Sequence, residues 1–206
     1  MGQAGPTTAA IVLAGGASRR FGTDKTRAAV DGVPMLQRVV DVARPLVDEL
    51  VVVGPWAPEG VRHQFESEAH RGPLAGMLVG LQAVSAPHAL VLAADHPVIR
   101  PELLELLLQR GHQGDAVVPT GPDGPQPLVA VYDRRVLAAA QELVDGGERR
   151  LMALLDAIDT VWLTPDDWRT VDPDGASFRD VDRPGDLAAV EATLRRGSSG
   201  PDGSVP

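Results

Sequence analysis

A chain of 206 residues, 44% hydrophobic and 23% charged, has the makeup of an ordinary globular protein. The absence of cysteine excludes disulfide frameworks, thiolate zinc sites, iron–sulfur clusters and cysteine nucleophiles. A net charge of −9 argues against general affinity for nucleic acid or for anionic membranes, both of which want a basic surface. At this length one core buries roughly 70% of the unfolded chain's surface, so a single domain over residues 1–196 is expected. No apolar run approaches the roughly 18 residues of a membrane span, and Met1 to Thr8 lacks the makeup of a signal peptide, which gives a cytoplasmic expectation.

Ala9 to Leu13 is a short run of small and β-branched residues that ends at Gly15 and Gly16, and similar runs return at Leu50–Val53 and Ala89–Ala94. Continuous apolar runs of this kind predict parallel strands buried on both faces. Leu36, Val39, Val40, Ala43, Leu46 and Val47 recur at helical spacing, with Pro45 set to end that helix early. Leu74, Met77, Leu78, Leu81 and Val84 form a second apolar helix face. A third helix starts at Pro101 and stops at Gly111. Strands at Ala116–Pro119 and Leu128–Tyr132 flank a turn over 121–125. Helices follow at Val136–Val144 and Leu151–Ile158, then a strand at Thr160–Leu163 and a last helix from Pro184 to about Arg195. Alternating β and α elements predict a three-layer α/β/α fold with a mostly parallel sheet, whose ligands sit beyond the carboxyl ends of the strands. The Gly/Ser/Pro-rich stretch 197–206 reads as a disordered tail.

The segment from Leu13 to Lys25, directly after the first strand, carries the most chemistry. Ala14, Gly15 and Gly16 let backbone N–H groups approach an anion and form a phosphate nest. Between Gly15 and Arg38, Arg19, Arg20, Lys25, Arg27 and Arg38 face only Asp24 and Asp31, a positive stretch in an acidic chain. Neither a Walker A loop nor a G-x-G-x-x-G pattern is present. Lys25 is the only lysine among 19 basic residues. A compact ammonium sits among several phosphate oxygens where a guanidinium would impose its fork.

Asp95 ends the third apolar run, where a carboxylate is placed to hold a hard cation such as Mg²⁺; a helix cap ahead of Pro97 is the structural alternative. Asp180 and Asp182 alternate along an extended segment and are expected to point to opposite faces, so one of them, Asp182 by preference, shares the metal of Asp95. Gly72 to Gly76 opens a helix with small residues, and Glu148, Arg149 and Arg150 precede another as an ordinary solvated helix start. The histidines at 63, 70, 88, 96 and 112 show no metal-ligand spacing and read as structural or surface residues, with a substrate contact as the alternative for His96 beside Asp95.

The Leu13–Lys25 segment resembles the signature L-A-G-G-x-x-x-R-x-G-x-D-K of the molybdenum cofactor guanylyltransferases. Gly72-Pro-Leu-Ala-Gly76 is similar to that family's G-P-L-A-G, Asp95 with Pro97 to its C-D-x-P, and Gly147-Glu-Arg-Arg150 to its G-E-R-R. Phe178 to Leu187 resembles F-x-N-x-N-T-P-E-D-L, with aspartates at 180 and 182 where the family has asparagines. The likeness spans about residues 9 to 194 in the expected order. It implies a GT-A-like, Rossmann-like nucleotidyltransferase fold and transfer of GMP from GTP to molybdopterin, with Mg²⁺ as cofactor. It implies guanosine contacts from Leu13, Ala14, Gly15, Gly16, Leu74, Ala75 and Gly76, a contact from Glu66 as the acidic residue before G-P-L-A-G, and Arg149 against the pterin phosphate. Arg20 and Lys25 would stabilise charge on the reacting phosphates, with Asp95, Asp182 and Asp180 toward the metal. Transient contacts with other proteins of molybdenum cofactor biosynthesis follow as well. The asparagine found after the family's second strand is Gly54 here. A related nucleotidyltransferase using CTP or another phosphorylated acceptor stays open on Asp180-Val-Asp182, and so does a non-catalytic GTP-binding module.

Overall fold

The computed structural model describes residues 7–15, 27–65 and 72–198. Strand β1 (Thr8–Leu13) lies at the centre of the main sheet, fully buried from Ala9 to Val12. It pairs in parallel with β4 (Glu49–Val53) on one side and β6 (His88–Ala93) on the other, Ile11 lying opposite Val51 and Val91. Beyond β4 lies the short strand β5 (Arg62–Gln64). Beyond β6 come β9 (Val129–Asp133), β7 (Ala116–Gly121) and β10 (Thr160–Leu163). Only β9 runs against its neighbours in this order, because the short connection from β7 cannot make the crossover that a parallel pair requires. The short strand β8 (Gly124–Pro125) pairs back onto β7 within that connection.

Helices α2 (Pro73–Ala83), α4 (Leu137–Asp145) and α5 (Leu151–Leu155) bury their apolar faces on one side of the sheet. On the other side pack α1 (Met35–Ala43), α3 (Pro101–Arg110) and the single turn α6 (Pro165–Trp168). The sequence expectation of three layers with a mostly parallel sheet therefore holds. Helix α1 gives way at Arg44–Leu46 to a 3-10 turn around Pro45, as the missing N–H of proline requires.

Two helix boundaries are corrected. Helix α5 stops at Leu155 rather than Ile158, because the Thr160 hydroxyl donates to the Leu155 carbonyl as the chain turns into β10. Helix α7 (Asp186–Ser198) starts two residues after Pro184 and runs into the stretch expected as a tail. A hairpin of β2 (Ala29–Val30) and β3 (Val33–Pro34), with Asp31 and Gly32 at positive φ in its turn, was not foreseen. It joins a small third core of Val30, Met35, Val98, Val181 and Val190. Among the described residues no helix is long and apolar enough to cross a membrane.

Candidate active site at the carboxyl edge of the sheet

Strands β1, β4, β5 and β6 are parallel, so their carboxyl ends share one edge, and backbone pairing continues one residue past them. The Ala14 N–H donates to the Val53 carbonyl at 2.8 Å, that of Ala94 to Leu13 at 3.0 Å, and that of Gly54 to Gln64 at 3.1 Å. Leu13–Gly15, Gly54 and Ala94–Asp95 are thereby fixed side by side. A Cβ at Gly54 would stand 2.8 Å from both the carbonyl carbon and the Cβ of Ala14, so the asparagine of the resembling family has no room here. Leu13 and Ala14 are buried and their side chains belong to the core, while Gly15 is exposed. Gly16, Arg20, Lys25 and Glu66 lie outside the described residues. Arg27 places its guanidinium 4.8 Å from the ring centroid of Trp56, which follows β4.

Asp95 stands two residues past the end of β6. The helix-cap alternative is corrected, since Arg100 occupies the N-cap of α3. The Asp95 carbonyl accepts from the Val181 N–H at 3.0 Å, and its carboxylate Oδ1 lies 3.0 Å from Nδ1 of His96. His96 is buried, in line with a structural reading, and its ring meets the Asp95 carboxylate beside which the sequence sets it. The expectation that Asp180 and Asp182 face opposite ways is also corrected. Residues i and i+2 of an extended chain share a face, and both aspartates are exposed with the fully buried Val181 between them. The carboxylate of Asp186 accepts from the N–H groups of Asp182 at 3.0 Å and Arg183 at 2.7 Å.

This segment is anchored from upstream. Asp172, fully buried, accepts from the N–H groups of Ala176 and Ser177 and pairs with Arg100 Nε at 3.1 Å. The Arg100 N–H in turn donates to the Ser177 hydroxyl at 3.0 Å, tying the loop to the start of α3. Among the described residues no group of three or more His, Asp or Glu side chains is set to hold a metal ion. Mg²⁺ ordinarily takes one or two protein carboxylates and completes its shell with water and phosphate oxygens. The backbone bond from Val181 to Asp95 brings Asp180 and Asp182 next to Asp95 along the chain, so the donor chemistry for such a shell is one carboxylate from Asp95 and one from this pair.

Helix α2 begins at the same edge. Gly72 sits at φ +95°, and a Cβ there would lie 2.8 Å from the Arg149 carbonyl oxygen. The Leu74 N–H donates to that oxygen at 3.3 Å, so the Gly147–Arg150 turn docks on the first turn of α2. Leu74 is fully buried and Ala75 nearly so, which leaves backbone edges rather than side chains to meet a ligand. Arg149 is exposed. The Glu148 carboxyl is held down at about 2 by the Arg150 guanidinium and by the N–H groups of Arg150 and Arg149. The edge thus combines carboxylates suited to a hard cation with a small-residue helix start and an exposed arginine, a set that can receive a polyphosphate.

Residues 10–163 match the MobA-like NTP transferase domain. A relative from Chloroflexus aggregans named "Probable molybdenum cofactor guanylyltransferase" is 40% identical over 194 residues, covering 89% of this chain and 93% of its own. A "Molybdenum cofactor guanylyltransferase" from Desulfosudis oleivorans is 30% identical over 196 residues, covering 91% and 96%. In fold, the chain is similar to molybdopterin-guanine dinucleotide biosynthesis protein A from Archaeoglobus fulgidus, with TM-score 0.79 at 24% identity over 91% of this chain and 99% of the other. It is also similar in fold to 2-C-methyl-D-erythritol 4-phosphate cytidylyltransferase from Thermus thermophilus, with TM-score 0.66 at 18% identity over 90% and 98%.

Proposed function

As the chain belongs to the molybdenum cofactor guanylyltransferases of the MobA-like NTP transferase family, we propose that it transfers GMP from GTP to molybdopterin in the cytoplasm, in transient contact with other proteins of that pathway. The observation that carries the reading is the seating of Asp95 beside Asp180–Asp182, at the strand edge that also holds Gly15 and the start of α2. An oxygen of the terminal phosphate of molybdopterin attacks the α-phosphorus of GTP. The bond to the bridging oxygen toward the β-phosphorus breaks, and pyrophosphate leaves.

A phosphate monoester has a second pKa near about 6, so at neutral pH the attacking oxygen is already ionised and needs no general base. What remains is in-line positioning and neutralisation of phosphate charge. Asp95 and one aspartate of the following pair, Asp182 in preference to Asp180, would hold Mg²⁺, which when bound neutralises phosphate oxygen charge. Arg20 and Lys25 carry the charge on the triphosphate, and the N–H groups of Gly15 and Gly16 meet its oxygens. The backbone of Leu13, Ala14, Leu74, Ala75 and Gly76, with Glu66, lines the guanosine side, and Arg149 meets the acceptor phosphate.

The test is pyrophosphate release with Mg²⁺ and molybdopterin, comparing GTP, CTP and ATP side by side. Selective release with GTP is expected. Selectivity for CTP would move the chain to cytidylyl transfer, and binding of GTP without release from any nucleotide would overturn catalysis with this acceptor.

A further inference from the structure

We infer that His96 is a positioning residue whose imidazole fixes the orientation of the Asp95 carboxylate toward a divalent cation. The inference rests on the proposed role of Asp95 as a metal ligand. An ionised carboxylate only accepts hydrogen bonds, so at 3.0 Å the proton lies on Nδ1 and the imidazole is the donor. The ring is itself enclosed, its side chain 9% exposed against 28% for Asp95. Its backbone is held at both ends of a turn, the N–H donating to Ala93 at 3.4 Å and the carbonyl accepting from Ile99 at 3.2 Å. Pro97 narrows the backbone freedom of His96 further.

The physical consequence concerns rotation. The terminal torsion of aspartate is broad and roughly two-fold, so an unrestrained carboxylate samples many orientations. One oxygen anchored by a buried donor narrows that freedom before a cation arrives, and that share of the ordering cost no longer falls on binding. Groups that orient a ligating side chain in this way change metal affinity by about 10- to 100-fold when removed. Nothing in local sequence periodicity asks for a histidine here, since the residue lies in a turn where a small polar side chain would serve.

Two substitutions of similar polarity separate the hydrogen bond from packing. In His96→Asn the amide nitrogen takes the place of Nδ1 and keeps the donor; in His96→Gln it reaches the region of Nε2 and loses it. The readout is Mn²⁺ binding, followed by the electron paramagnetic resonance of the free ion with a non-hydrolysable GTP analogue present, and melting curves accompany each variant. We expect His96→Gln to weaken Mn²⁺ binding about tenfold or more and His96→Asn to stay within about threefold of the parent. Asp95→Asn serves as the reference. If it weakens Mn²⁺ binding while His96→Gln does not, the role of His96 alone is overturned. Equal losses in His96→Asn and His96→Gln would make the ring a packing element and overturn it too. Unchanged Mn²⁺ binding in Asp95→Asn would overturn the metal assignment of Asp95 and this inference with it.

Discussion

Lys25 stands alone as an ammonium in a chain that otherwise uses arginine for positive charge. In the proposed role among triphosphate oxygens it would act as a point charge that a guanidinium does not reproduce. Lys25→Ala is expected to lower turnover by roughly 10²-fold or more with the melting temperature unchanged, the scale of losing one electrostatic stabiliser. Near-parental turnover would remove its assigned role. Glu148 works through a different balance. Its carboxyl, ordinarily at 4.5, is held at about 2 by Arg150 and by two backbone N–H groups. A folded-state value below the unfolded one contributes stability above pH 4.5, and that contribution is lost as pH falls toward 2. Glu148→Gln should therefore melt lower than the parent at neutral pH, with the two curves converging below pH 4.5. Because the group is exposed, the difference should be small and should shrink in salt.

Helix α2 shows how one absent side chain sets the height of an element. A Cβ on Gly80 would fall 2.2 Å from Cγ2 of Ile11, the fully buried centre of β1, and a β-branched side chain cannot rotate away. Gly80→Ala is expected to lift α2 from the sheet at a cost of about 1–3 kcal/mol, lowering the melting temperature by about 2–10 °C for a chain of this size. Gly185→Ala, where an added Cβ meets nothing, should stay within about 0.5 kcal/mol of the parent. The lift would also carry away Gly72–Gly76, so a raised KM for nucleotide should accompany it.

The elements that sequence patterning revealed are those whose physics is local. Strands β1, β4 and β6 read as unbroken apolar runs because both their faces are covered. Strand β5, Arg-His-Gln, carries no apolar run because it closes the edge of the sheet, and the reversal of β9 is a property of connection length that an apolar run does not encode. Near the proposed site, the position of Asp95 past the end of a buried strand was legible in the sequence. The docking of Arg149 on Gly72 joins segments far apart in sequence, which spacing along the chain does not report.

At the scale of the whole molecule, the third core is what joins the periphery to the site. Val181 lies between Asp180 and Asp182 and packs with Val30 of the hairpin, Val98 of the Asp95–Arg100 loop and Val190 of α7. Polar contacts follow the same route: Arg179 donates to the Thr193 hydroxyl at 2.7 Å, and Glu191 accepts from the Asp31 N–H at 3.4 Å. This core is small and stands apart from the two large ones, so it should open without them, at a free energy below that of global unfolding. Val190→Ala removes two carbons from it, about 1.5–2 kcal/mol of burial before any cavity term. Native-state hydrogen exchange offers a readout at one atom, the Val181 N–H bonded to the Asp95 carbonyl. In Val190→Ala that amide and those of α7 should exchange faster by roughly 10-fold or more, while the amides of β1, β4 and β6 keep their parental rates. The concentration of Mg²⁺ needed for half-maximal turnover should rise in step, because Asp180 and Asp182 ride on the same segment. Uniform loss of protection across β1 and Val181 would show instead that the third core melts only with the sheet, and that the segment carrying Asp180 and Asp182 is as rigid as β1.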